Sequence, residues 1–99
     1  MKRFVAGINS MTAEQEEAFL KYLKANNFAY WHWIDNFWLV VDHSGKLTST
    51  KLIDKLKELA PKKILLIMDL MGGGEWHGFG PIDKEKNMFD WLNDIWTKG

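Results

Sequence analysis

An α+β fold is predicted for this 99-residue chain by three observations. Thr12 and Gln15 have the spacing of a helix capping box, strand formers over residues 28–41 reverse at Asp35-Asn36, and residues 63–70 form an apolar run of strand length between breakers. Length and composition point to one domain, residues 1–99.

The elements follow in order. Phe4-Val5-Ala6-Gly7-Ile8 is a short apolar run before Asn9 and Ser10, as for a buried first strand. Behind the Thr12 cap, Glu14, Glu16 and Glu17 suit the positive end of a helix, Ala18, Phe19, Tyr22 and Leu23 give it an apolar face, and Asn26-Asn27 ends it. The hairpin over 28–41, closed by Asp35 and Asn36, sets Ile34 opposite Phe37, Trp33 opposite Trp38, His32 opposite Leu39 and Trp31 opposite Val40. Period-two alternation then gathers Tyr30, His32, Ile34, Phe37, Leu39 and Val41 on one face, with Trp31, Trp33, Trp38 and Val40 on the other. Thr48 or Ser49 caps a second helix with Leu52, Ile53, Leu56 and Leu59 as its buried stripe, and Pro61 stops it. Residues 63–70 form the fourth strand. The result is the βαββαβ pattern of a ferredoxin-like sandwich, a four-stranded antiparallel sheet with two helices on one face. Asn87 then caps an extra C-terminal helix carrying Met88, Phe89, Trp91, Leu92, Ile95 and Trp96.

Composition excludes several classes. Thirteen basic residues balance thirteen acidic ones, which argues against non-specific duplex binding. The absence of Cys removes disulfides and thiolate chemistry and fits a reducing compartment, so a cytoplasmic location is expected. The apolar run at the N-terminus is too short for a signal peptide, and no segment approaches a membrane span.

By the hairpin pairing, Trp31, Trp33 and Trp38 form an apolar patch on the sheet face away from the two helices, and a soluble monomer seldom leaves such a patch bare. Three covers would satisfy it. The C-terminal helix would bring Trp91 and Trp96 against the hairpin, a second copy would make a homodimer, and single-stranded nucleic acid would stack its bases there. The last is the weakest, since residues 28–41 contain no Lys or Arg to follow a phosphate backbone.

The candidate ligand- or partner-binding residues are Glu75, Trp76, His77 and Phe79, set in a stretch with five glycines between 72 and 80. Exposed backbone amides, two rings for a planar group and two polar side chains for orientation are what a pocket needs. The competing reading is tight turns with Trp76 and Phe79 anchoring the loop to the core. The stretch matches neither the dinucleotide-binding glycine pattern nor the P-loop. No metal ligand spacing is diagnostic, and neither a catalytic residue nor a cofactor is assigned; Asp69 with Glu75 and His77 is the one acid–base grouping to test. His32 is expected to be a hydrogen-bonded structural imidazole.

In element order the chain resembles the small ferredoxin-like CRISPR-associated nucleases and RNA-recognition domains, a likeness of topology. Where those nucleases carry an aspartate after the first strand, Ile8 is followed by Asn9, and residues 63–70 lack the aromatics of RNA-recognition domains. The expected function is therefore a non-enzymatic binding protein, an accessory, inhibitor or sequestering factor that holds a small ligand or partner protein and is itself a homodimer. The alternatives are single-stranded nucleic-acid binding through Trp31, Trp33 and Trp38, or a small metal-dependent hydrolase or nuclease.

Overall fold

The first strand, β1 (Lys2–Ile8), pairs antiparallel on both sides, with β3 (Phe37–Asp42) on one and β4 (Leu65–Leu70) on the other, and β2 (Ala29–Ile34) closes the order β2-β3-β1-β4. These elements come from a computed structural model that describes residues 1–72, 74–83 and 86–97. The architecture is α+β, a four-stranded antiparallel sheet with helices, and is compatible with a ferredoxin-like fold.

Helix α1 (Ala13–Ala25) begins at the expected capping box: Gln15 N–H donates to Thr12 Oγ1 at 3.1 Å, and Thr12 N–H donates to Gln15 Oε1 at 2.9 Å. Asn27, just beyond its end, takes the left-handed conformation with φ 58°. Thr48, not Ser49, caps α2 (Ser49–Leu59), accepting from Lys51 N–H at 3.1 Å. Phe19 and Leu23 of α1 and Leu52 and Leu56 of α2 are buried together with Phe4, Ala6 and Ile8 of β1, so both helices cover one sheet face.

The hairpin turn falls at Asp35-Asn36 as expected, with Ile34 opposite Phe37 and φ 65° at Asn36. Its register differs beyond that pair. Trp31 lies opposite Leu39 and Tyr30 opposite Val40, so His32 and Trp33 together face Trp38 alone. This extra residue is a β-bulge, and it reverses the side-chain alternation on one strand relative to the other. The sheet face expected to hold Trp31, Trp33 and Trp38 together is therefore corrected: Trp31 and Leu39 lie in the cluster away from the helices, Trp38 and Val40 are buried under them, and Trp33 is exposed. Tyr30 and His32 likewise leave the company of Phe37, Leu39 and Val41, since Tyr30 packs on the helix-side core and His32 stacks on Trp38.

Trp38 fits under the helices because its neighbour across the sheet is the small Ala6. Its ring meets Phe19 edge-on at 4.9 Å and lies flat against His32 at 3.6 Å. Its indole N–H is buried without a hydrogen-bond partner. That omission costs about 1–3 kcal/mol, whereas burying ~200 Å² of indole contributes ~5 kcal/mol, so the position favours Trp on balance.

The second core cluster joins Trp31, Leu39 and Val41 of the sheet to Met88, Leu92 and Trp96 of the C-terminal segment. The expected extra helix is present in shorter form, as a π-helical segment over Leu92–Thr97, and Asn87 Oδ1 accepts from Phe89 N–H at 2.9 Å and Asp90 N–H at 3.2 Å. Of the three covers weighed for this face, the chain supplies its own over the half nearest β2 and β3. The half nearest β4 stays open, with Leu66 64% and Met68 46% exposed.

Asp42 fixes the entry to α2. Burial alone would raise its pKa, but hydrogen bonds from Leu47 N–H, Ser44 Oγ and N–H, and Lys46 N–H outweigh burial and hold the carboxyl below its ordinary value of 3.8. A depressed folded-state pKa gives stability that is present above the ordinary value and lost as pH falls through the folded one. Asp42→Asn is accordingly expected to cost about 1–3 kcal/mol near neutral pH in denaturant unfolding, and the variant should lose less stability than the parent on acidification below pH 4.

Candidate functional site

The C-terminal cover does not close tightly on the sheet. Between them is a cavity of about 360 Å³, floored by Trp31, Phe37 and Leu39, walled by Met88, Phe89, Leu92 and Trp96, and edged by residues 75–79. All four residues singled out from the sequence, Glu75, Trp76, His77 and Phe79, line this one cavity.

The cover is held from both sides. Trp31 Nε1–H donates to the Met88 carbonyl at 2.6 Å, and the buried Arg3 donates through Nε to the Trp96 carbonyl at 2.7 Å. The first bond aligns the indole floor and the second ties the last turn of the chain to β1. Two of the glycines of the strap, residues 74–83, lie close against the segment behind it: a Cβ on Gly80 would lie 1.8 Å from Met88 Sδ and one on Gly78 2.8 Å from Phe89 Cε1, so a side chain at either position would displace Met88 or Phe89.

The four candidates divide by burial. Trp76 is partly buried, stacked on Phe89 at 5.8 Å and 7°, and its Nε1–H donates to Thr97 Oγ1 at 3.1 Å. It is therefore an anchor as well as a wall, as the competing reading of this loop had it for Trp76 but not for Phe79. Phe79 is fully exposed, and Glu75 and His77 form an exposed pair at 3.2 Å at the rim. A largely apolar chamber with its polar groups confined to one rim suits a ligand with a flat apolar body and one polar or cationic end.

The five tryptophans expected as an aromatic interface do not form one surface. Trp31, Trp91 and Trp96 belong to the cavity-side cluster, with Trp91 and Trp96 6.1 Å apart, while Trp38 is in the opposite core and Trp33 is exposed at the bulge. Asp69 does not join Glu75 and His77. It pairs with Lys2 at 3.0 Å and is not part of the cavity wall. Among the described residues no cluster of three or more His, Cys, Asp or Glu could hold a metal ion.

A second, polar depression of about 350 Å³ is formed at the other side of the hairpin by Ser10, Glu16, His32, Asp35 and Asn36 over Trp38. His32 Nδ1 lies 2.9 Å from the Phe37 carbonyl and Nε2 2.6 Å from Glu16 Oε1, so neither ring nitrogen is left to act on a substrate. It is the hydrogen-bonded structural imidazole the sequence suggested, and it ties α1 to the hairpin.

Sequence reasoning did not find Met88, Phe89, Phe37 and Leu39 as parts of the site. The apolar periodicity of residues 88–96 marked a packing face without saying where it would stand clear of the sheet, and the contact of Gly80 with Met88 has no signature in spacing. No protein-family model matches the chain, and no curated protein or solved structure matches it. No described helix is long and apolar enough to cross a membrane.

Replacing Arg3 by Met should remove the Nε–H bond that ties β1 to the Trp96 carbonyl. We expect faster hydrogen exchange across residues 86–97 with little change in β1 and β3, at a cost of about 1–3 kcal/mol. Uniform loss of protection through the sheet would show that Arg3 supports the whole fold and not the cover.

Proposed function

We propose that the protein is a non-enzymatic binding protein whose ligand site is the cavity between the sheet and the strap of residues 74–83. The observation that carries this reading is the convergence of Glu75, Trp76, His77 and Phe79 with the buried Trp31 on one largely apolar chamber. Its volume, at the small end of ligand pockets, suits a single-ring or fused-ring molecule. The ring body would lie against Trp31 and Met88, with its polar end at the Glu75–His77 rim and Phe79 closing over it.

Two further parts belong to the proposal. We infer a ferredoxin-like arrangement, supported by the strand order and by both long helices sharing one face, and a homodimer, supported by the open half of the sheet; a cytoplasmic location is proposed from the cysteine-free composition. Nucleic-acid stacking is the poorer reading because its three indoles are dispersed over two faces and a bulge. The hydrolase reading is poorer because Asp69 stands apart from Glu75 and His77 and both His32 nitrogens are engaged.

The exposed rim residues allow a clean test. In a thermal-shift and tryptophan-fluorescence screen of aromatic amines and neutral ring compounds, a binder should shift the parent's melting temperature. Phe79→Ala and Glu75→Gln should weaken its binding by about tenfold, ~1.4 kcal/mol, while leaving the ligand-free melting temperature within about two degrees. Binding that is indifferent to both substitutions, or that persists only in variants with a disrupted strap, would remove the cavity as the site.

A further inference from the structure

We propose that two copies of the chain join through the outer edge of β4, antiparallel and centred on Leu66, so that the two four-stranded sheets become one. This deepens the homodimer part of the proposed function and rests on it, while the ligand site is independent of it. β4 ends the sheet order, and the backbone parity shows which groups it leaves outward. Asn9 N–H donates to the Ile64 carbonyl at 2.9 Å, which sets the even-numbered residues of β4 in the hydrogen-bonded pairs with β1. Ile8, the partner of Leu65, turns its N–H the other way, to the Asn36 carbonyl at 2.9 Å. The N–H and C=O groups of Leu65, Ile67 and Asp69 therefore point off the sheet, and among the described residues no backbone bond ties them to a loop or helix.

The two edges of the sheet are treated differently. β2 carries the bulge at His32 and Trp33, a device that blocks further pairing. β4 pairs with β1 in unbroken register, and residues 64–68 offer neither charge nor proline. Ile64, Leu66 and Met68 are instead 76%, 64% and 46% exposed.

The strand is complementary to itself in one register. Centring on Leu66 sets Leu66 opposite its own copy, Ile64 opposite Met68, Leu65 opposite Ile67 and Lys63 opposite Asp69. The outward-facing residues then form the hydrogen-bonded pairs. The exposed aliphatic side chains fall in the close, non-hydrogen-bonded pairs, with Cα atoms ~4.5 Å apart. Each end sets opposite charges across the seam: Asp69 is still 38% exposed beside Lys2, and the Lys63 ammonium, which donates one bond to the Ser10 carbonyl at 2.7 Å, keeps further N–H groups for it. Moving the centre to Leu65 or Ile67 keeps the parity but sets Lys63 against Ile67, or Asp69 against Leu65, and loses that match.

The native chain has no cysteine, so single cysteines report the register directly. In sedimentation of the full chain we expect a dimer, and Leu66→Lys, which sets two cations on the two-fold axis, should give a monomer with unchanged far-UV circular dichroism. Leu66→Cys should oxidise to a disulfide-linked dimer, since ~4.5 Å lies within the range such a bond spans. Ile64→Cys alone should not, its two copies lying ~14 Å apart, whereas mixing Ile64→Cys with Met68→Cys should cross-link. A chain that sediments as a monomer at the highest soluble concentration, a dimer that survives Leu66→Lys, or cross-linking of Ile64→Cys as fast as Leu66→Cys would each overturn the proposal.

Discussion

One extra residue in β2 governs how this small protein handles its aromatic content. Had the hairpin continued in plain register from Asp35-Asn36, Trp31 and Trp38 would have stood on the same face, opposite Phe37 and Leu39. The bulge at His32 and Trp33 puts one indole into each core. Trp38 goes beneath α1 and α2, where Ala6 leaves room for it, and Trp31 becomes the floor of the second cluster. Each face of the single sheet thus gains a large apolar anchor, which a chain of this size needs to bury enough surface.

The two cores are built differently, and that difference produces the cavity. On the helix side, periodic Phe, Leu and Ile residues pack to full burial. On the other side the cover is a glycine-containing strap and a short π-helical segment, fastened to the sheet at Trp31 and Arg3 through main-chain carbonyls. Carbonyl tethers set the distance of the cover from the sheet, and side chains fill only part of the gap. A space lined by rings with a polar rim is the consequence, and the proposed binding role rests on it. The same economy of cover leaves Leu66 and Met68 open beside an unblunted strand edge.

Much of the fold was legible because local chemistry determined it. Thr12 with Gln15, Thr48 before the second apolar stripe, and Asp35-Asn36 between strand formers each act within a few residues and have the roles their types suggest. The strap residues Glu75 to Phe79 were legible as a candidate site for a similar reason, since glycines beside rings are conspicuous. The register of β2 was not, because a bulge is decided by which indole packs better where, a comparison between two distant cores. Nor was the pairing of His32 with Glu16, or the approach of Gly80 to Met88, since both join residues whose proximity exists only once the sheet and its cover are assembled.

Nuclear Overhauser contacts from the ring protons of Trp31 and Trp38 report which core each indole occupies. Trp31 should show contacts to the Met88 side chain and Trp38 to the Phe19 ring, with none between Trp31 and Trp38. Contacts joining the Trp31 and Trp38 rings on a common face, or Trp38 reporting to the C-terminal segment, would contradict the bulge and with it the cavity built upon Trp31.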